Sequence, residues 1–350
     1  MQHKVSRPHH VPEQIVHYQG DQLIVQPVCR FDPAEAVGAL QQCQRVLAID
    51  IGGDKIRSAH YEIGNGLPTK TNEQVFRSRG GTGYLTLLEG LADEAARDNL
   101  RVGISSATKM AGSTITRTVN LPVFFGEFRQ TYGADYEKLF PGRSFAANDT
   151  VMGICGASTR LALGGTPPRD VAFVISASGM GASVVSNGVA THVEVGHVPL
   201  MPSLNPLGQT MSCGVEGRAY VCVERVTAAR AGIEDLYRKM TGESLDGVAL
   251  GGKYAQGDPL ATLLYETSAC VLAHAIVGVM ERFTFAASER SVIVLHGGNF
   301  EIPAYREAVQ RDLDRIPHPR CRIVFSRDLS GNICLDGAAI MAAWSQHLDT

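Results

Sequence analysis

The chain has 350 residues, 44% hydrophobic and 19% charged, with 32 Lys and Arg against 35 Asp and Glu for a formal charge of −3. That length predicts about two domains able to bury their own cores, and the composition excludes a disordered chain, a coiled coil and a collagen-like fibre. A near-neutral balance excludes bulk attraction to nucleic acid or an anionic membrane, so a phosphate group must be held by a local device.

Residues 1–44 are polar and rich in His, Gln and Pro. Within them, 22–28 reads as a strand, and Asp32-Pro33 starts a helix, with Asp as N-cap and Pro at the first helical position. This extension is expected to pack on the body or stay partly mobile. Arg45–Asp50 is an apolar strand that runs into the turn Asp50-Ile51-Gly52-Gly53-Asp54-Lys55. Tyr84–Ala96 has helical spacing, and Arg101–Ser105 is a short buried strand. Asn148-Asp149 opens a small-residue helix over 151–163, with Asp149 as a favourable N-cap. Asp170–Ser176 is again a strand, followed by the turn Ser178-Gly179-Met180-Gly181 and a hairpin through Asn187-Gly188. Helices are expected over 214–241 and 258–288. Ser291–Leu295 then leads into Gly297-Gly298, and a closing helix spans 337–345. Strand, glycine turn, strand thus occurs twice, as two similar lobes facing one cleft would require.

Several of these turns can carry chemistry. Glycine lacks the Cβ that would keep backbone N–H groups from an anion, so Gly52-Gly53 and Gly179-x-Gly181 suit phosphates. Asp50, at a strand end, offers an oxygen ligand for magnesium and its waters. Gly297-Gly298 would let an adenine or ribose lie on the backbone. Asp149 fits a general base that takes the proton of a hydroxyl attacking phosphorus, a role compatible with capping a helix. Glu194 and His197, three apart, could hold neighbouring sugar hydroxyls. Each turn taken alone is equally compatible with an ordinary strand connection. The eight cysteines form no C-x-x-C pair. The start of the chain has no charged segment leading into an apolar run, and no window approaches the ~20 apolar residues of a membrane span. A cytoplasmic protein with no membrane and no nucleic-acid partner is expected.

Taken in order, these residues resemble the ROK family of sugar kinases and sugar-responsive repressors, within the actin-like ATPase superfamily. The resemblance runs from about residue 45 to the C-terminus, over Asp50–Lys55, Asn120-Leu121-Pro122, Asn148-Asp149, Gly179-x-Gly181, Glu194-x-Gly196-His197 and Gly297-Gly298. It implies an α/β, two-lobed fold with a ribonuclease-H-like core in each lobe and a cleft between them. The smaller lobe would cover 45–147 plus a C-terminal helix near 335–350, and the larger lobe 148–334. The implied activity is ATP-dependent phosphorylation of the primary hydroxyl of a hexose-like substrate, with Asp149 as base. Asn120, Asn148, Glu194, His197 and Glu224 would bind the sugar. Asp50, Gly52, Gly53, Asp54, Lys55, Ser178, Gly179 and Gly181 would hold the phosphates of ATP and its magnesium, and Gly297 and Gly298 the adenosine. A homodimer is implied as well.

The departures from the family pattern are specific. Asp54 stands where Thr is usual, which repels phosphate unless it points away, pairs with a cation or helps hold magnesium. The zinc motif is broken, with Met211 at its first cysteine position and extra residues between Cys213 and Cys222. His197, Cys213 and Cys222 supply three of the four ligands of a structural zinc, so zinc is not expected. An alignment without the insertion puts Tyr220 in place of Glu224. Ser106-Ala107-Thr108 replaces a Pro-Gly turn, and Val151 and Ala157 replace an Asn and a Glu. Changed sugar-facing loops on retained machinery favour a non-standard substrate, a glucose-like amino sugar or a C7-cyclitol fitting as well as ordinary glucose. The alternative reading is a non-catalytic sugar-binding regulator. The 44 residues before the phosphate turn hold few basic residues and no helix-turn-helix pattern, which favours the kinase.

Overall fold

The structure, a computed structural model, describes residues 25–345 apart from 43, 65, 67, 79–80, 119–120, 166, 201–212 and 214–219. Its first sheet is organised by β2 (Gln44–Ile51), whose residues 46–49 are all buried and so need cover on both faces. The meander β2, β3 (Lys55–Ile63), β4 (Thr69–Arg77) is antiparallel. On the other side of β2 lie β5 (Arg101–Ser106) and β8 (Ser144–Asn148), both parallel to it. The strand order is β4-β3-β2-β5-β8.

The second sheet repeats this plan. All seven residues of β9 (Asp170–Ser176) are buried, and β10 (Met180–Ser186) and β11 (Val189–Val193) continue the meander. Asn187 and Gly188 both have positive φ, at 52° and 73°, as the expected two-residue hairpin turn demands. β12 (Ser291–His296) and β13 (Arg322–Phe325) add in parallel. The N-terminal extension is part of this sheet: β1 (Val25–Arg30) pairs antiparallel with β11 as a sixth strand. The short α1 (Pro33–Ala39) follows, with Asp32 Oδ1 accepting from the Ala34 and Glu35 amides. The two-lobed α/β architecture with a doubled ribonuclease-H-like core is therefore present.

Two helices, α5 (Asp149–Leu163) and α11 (Ile333–Trp344), form the layer between the sheets, in one core with residues of both. They approach closely because glycine faces backbone. A Cβ on Gly337 would lie 1.8 Å from the Met152 carbonyl oxygen, and one on Gly156 2.5 Å from that of Ile333. Gly103 in β5 likewise admits α11, with a Cβ there 1.8 Å from the Ala338 oxygen. The buried Asp336 of α11 accepts from Tyr61 Oη at 2.7 Å and Arg160 Nη2 at 2.5 Å, tying α11 to β3 and α5. Outside the first sheet pack α2 (Tyr84–Arg97), α3 (Pro122–Tyr132) and α4 (Tyr136–Leu139). Outside the second pack α6 (Glu224–Thr227), α7 (Asp235–Thr241), α8 (Gly247–Ala255), α9 (Pro259–Arg282) and α10 (Pro303–Arg315).

Four expectations need correction. The helix over 214–241 is broken: extended Ala228 interrupts it after α6, and Ala229–Glu234 is π-helical; residues 214–219 lie outside the described residues. The helix over 258–288 stops at Arg282, two residues before Thr284 at φ 54°. The N-cap of α5 is Asn148, whose Oδ1 accepts from the Thr150 amide, and Asp149 is the first helical residue. Finally, α9 is long and apolar enough by length and composition to cross a membrane, with mean hydropathy 1.6. Most of that stretch is buried inside this protein, where Leu264, Tyr265, Leu272 and Ile276 fill the second core.

Candidate active site

A cavity of about 240 Å³ opens where the two sheets face each other. Strand ends and helix starts converge there. Asp149 and Asn148 come from the β8–α5 junction, Ser178, Gly179 and Gly181 from the β9–β10 turn, His192 and Glu194 from the end of β11, and His197 and Glu224 from the segment that follows. A ribbon of β6 (Lys109–Ala111) and β7 (Thr114–Arg117) supplies Lys109 and Arg117.

Asp149 is the group best suited to chemistry. Burial and the nearby charge of Asp50 push its carboxyl up to about 7, against the pull of His192 and the Thr150 amide. A base that titrates there is half ionised at neutral pH and still basic enough to take a proton. Glu194 is tuned the opposite way. Burial favours its neutral form, but the hydrogen bond and charge of His192, with His197 and Lys109 nearby, outweigh burial and hold it well below the usual carboxylate range. Glu194 Oε1 lies 3.5 Å from His192 Nε2 and 3.6 Å from Lys109 Nζ, and Oε2 lies 3.8 Å from His197 Nε2. The other ring nitrogen of His192 meets Thr150 Oγ1 at 3.0 Å. Glu194 is thus an ionised acceptor in a fixed orientation.

Asn148 lines the cavity, but its amide is engaged in holding the wall. Nδ2 donates to the Thr108 oxygen at 2.9 Å and the Ser106 oxygen at 3.4 Å, while Oδ1 accepts from Thr150 N and Oγ1. Glu224 Oε1 accepts from the Met180 amide at 3.2 Å. A Cβ on Gly179 would sit 2.9 Å from that same oxygen, so a larger residue there would push the Glu224 carboxylate aside. Tyr220 hydrogen-bonds the His197 carbonyl instead, and Glu224 holds the position in the cavity.

The first-lobe turn lies beside this cavity, outside its lining. Gly52 N donates to the Lys55 oxygen at 2.9 Å, closing the turn. Asp50 Oδ1 accepts from Ser105 Oγ at 2.8 Å, and Oδ2 faces Arg57 at 3.8 Å. Lys55 has its ammonium pKa lowered by burial and by Arg57 and Arg77. Asp54 pairs with a cation from the other lobe, Arg230, whose Nη1 lies 3.1 and 3.2 Å from its two oxygens. Gly297, at φ 120°, turns against the Ser176 carbonyl so closely that a Cβ would lie 2.1 Å from its oxygen. That places Gly297-Gly298 next to the β9–β10 turn. Asn120 lies outside the described residues.

His197 Nδ1, Cys213 Sγ and Cys222 Sγ come within 4.8 Å of one another, although their spacing in the chain is disrupted. Burial and its neighbour Cys213 push the Cys222 thiol up to about 12.

The ROK family model matches residues 157–343, just over half of the sequence. The chain belongs to the ROK family. No curated protein matches it. Among solved structures, a ROK hexokinase from Thermus thermophilus is 20% identical at TM-score 0.62, covering 88% of this chain and 100% of that one. A ROK glucokinase from Streptomyces griseus, in complex with glucose and AMPPNP, is 18% identical at TM-score 0.60, over 85% and 98%. A ROK transcriptional regulator, a homolog of the E. coli MLC protein, is 17% identical at TM-score 0.59, over 88% and 80%. ROK sugar kinases and a ROK regulator therefore share this fold.

His192, Lys109, Arg117 and Arg230 are among the residues of this ROK chain that sequence reading missed. A signal existed only for His192, which lies two residues before Glu194 at the end of β11, the spacing that puts side chains on one face of a strand.

Proposed function

We propose that the chain is an ATP-dependent kinase acting on the primary hydroxyl of a hexose-like sugar or cyclitol, with Asp149 as general base. The observation that carries this reading is the Asp149 carboxyl in the cavity wall, tuned to about 7 by burial and by Asp50. Asp149 takes the hydroxyl proton as the oxygen attacks phosphorus. Glu194, kept ionised, accepts from sugar hydroxyls, with His197 and Glu224 beside it. Asn148 acts by holding the Ser106–Thr108 wall and the start of α5.

The turns at Gly52–Lys55 and Ser178–Gly181 are the sites for the ATP phosphates, with Gly297-Gly298 for the adenosine. The residues fit that load: two glycine turns facing one cleft, and cations at Lys55 and Arg57. Asp50 fits magnesium through its waters, since it is a hard oxygen donor whose carboxylate is already oriented by Ser105. Magnesium would neutralise charge on the transferred phosphoryl group. Asp54 is neutralised by Arg230, which removes the repulsion its charge would otherwise exert. The three donors His197, Cys213 and Cys222 suit zinc in chemistry and in mutual distance, despite the broken motif.

Fold similarity extends to a regulator as readily as to kinases, so it does not separate the two. Incubating the protein with ATP, magnesium and a panel of hexoses, amino sugars and cyclitols, and following ADP, does. Substrate-dependent ADP release that Asp149→Asn abolishes supports the kinase; sugar binding with no ADP release across the panel refutes it.

A further inference from the structure

Two cations in the cavity wall are given no ligand of their own by the kinase mechanism: Lys109, which helps keep Glu194 ionised, and Arg117. Lys109 and Arg117 pair on the β6–β7 ribbon across a bulge that skips Thr116, and both line the cavity that holds Asp149. Like charges facing each other across an antiparallel pair destabilise it. The ribbon has only three residues in one strand and four in the other, and Met110 and Ile115 anchor it in the first core. Lys109 has a partial counter-charge in Glu194 at 3.6 Å, which His192 already shares. Arg117 has no acidic partner among the described residues. The acidic groups Asp149, Glu194 and Glu224 line the same cavity from the other lobe's elements and from the start of α5.

We infer that the substrate carries an anionic substituent, a carboxylate or a phosphate ester, held between Lys109 and Arg117 away from the hydroxyl that is phosphorylated. This rests on the kinase reading for the fate of that hydroxyl, but the binding itself does not depend on it. A neutral polyol leaves the two cations repelling each other, whereas an anion between them relieves the repulsion and draws on the planar fork of Arg117. The placement also follows from charge: an anion beside Asp149 would meet its carboxyl and the nearby charge of Asp50.

Binding without nucleotide tests the inference, by calorimetry on two matched pairs. The first is glucose against glucose 1-phosphate. The second is N-acetylglucosamine against N-acetylmuramic acid, whose lactyl carboxylate leaves the primary hydroxyl free. The charged member of one pair should bind about 10-fold to 100-fold more tightly, as hydrogen bonds to charged groups allow. That advantage should shrink with added salt. Which pair shows it tells phosphate from carboxylate. Arg117→Gln should erase most of the preference, and Arg117→Lys should restore part of it. Equal or tighter binding of both neutral members overturns the inference, as does a preference that Arg117→Gln leaves intact. ADP release with the same four compounds reports on the kinase reading separately: a charge preference without turnover sinks that reading alone, and turnover without a charge preference sinks this one alone.

Discussion

Replacing Asp149 by Asn separates a catalytic carboxylate from a structural one through two readouts that move in opposite directions. The substitution keeps size and the Oδ1 that accepts from the Thr150 amide at 2.9 Å. It removes the charge. In the folded protein burial, and then Asp50, raise the carboxyl from 3.8 to about 7. The folded state therefore holds a proton that the unfolded chain releases between those values, so stability falls as pH rises from about 4 to about 7 and is level above. At about 1.4 kcal/mol per pH unit, ionised Asp149 costs at most about 4 kcal/mol at pH 8. Between pH 5 and pH 8 the Asn variant should thus gain roughly 2–3 kcal/mol relative to the parent in urea unfolding. Over the same range kcat should drop by roughly 10²–10⁴ while sugar affinity is kept. For the parent, kcat/KM should rise with pH through an acid limb near 7, where an ordinary aspartate would give one near 4. A pH-independent stability difference, or an acid limb near 4, refutes the tuning. Retained turnover removes Asp149 from the chemistry.

Three further outcomes follow from contacts already described. Arg230→Ala leaves Asp54 uncompensated beside the phosphate turn and should raise the KM for ATP several-fold, while Asp54→Thr in the same chain should restore it; the pair is largely exposed, so urea unfolding should change by no more than about 1 kcal/mol. An unchanged KM in Arg230→Ala excludes any role of the pair in nucleotide binding. Gly337→Ala would drive a Cβ into the Met152 carbonyl at 1.8 Å and force α5 and α11 apart, so the urea midpoint should fall by the equivalent of about 3 kcal/mol or more; an unshifted midpoint contradicts this packing. Metal analysis of purified protein should find about one zinc per chain, bound through His197, Cys213 and Cys222, and Cys213→Ser should abolish it. Metal-free protein with unchanged thermal stability rules the site out.

How much of this was legible in the sequence depends on the range of the signal. β9 is a seven-residue buried run between turn residues, and the chain around it reads correctly because every cue is local. The Asn187-Gly188 hairpin is equally local. The repeated strand order of the two sheets was foreshadowed by two glycine turns of the same type. Helix ends were less legible. The long pattern over 214–241 carries no local mark of the break at Ala228, after which Gly232 packs against the Glu224 carbonyl so closely that a Cβ would come within 2.9 Å. The N-cap of α5 fell on Asn148 and not on its neighbour because both residues are good caps, and only the backbone distinguishes them.

The site divides along the same line, and this explains which of its features were invisible. Turn glycines and single acids announce themselves by type and neighbours. Charge balance does not, because the balancing group arrives from elsewhere in the chain. Asp54 reads as a defect in a phosphate turn until Arg230 is seen 3.1 Å away, across 176 residues. The zinc donors read as a broken motif until His197 and Cys213 are found 3.5 Å apart. In the first case a charge added to the turn is balanced from the other lobe; in the second, three donors stand close enough to share one ion if zinc is found there. Lys109 and Arg117 are the opposite case: a pair of like charges whose one acidic partner among the described residues, Glu194 beside Lys109, is shared with His192. The anionic substituent we infer would supply that balance, and the cavity those two side chains line is the place for it to enter.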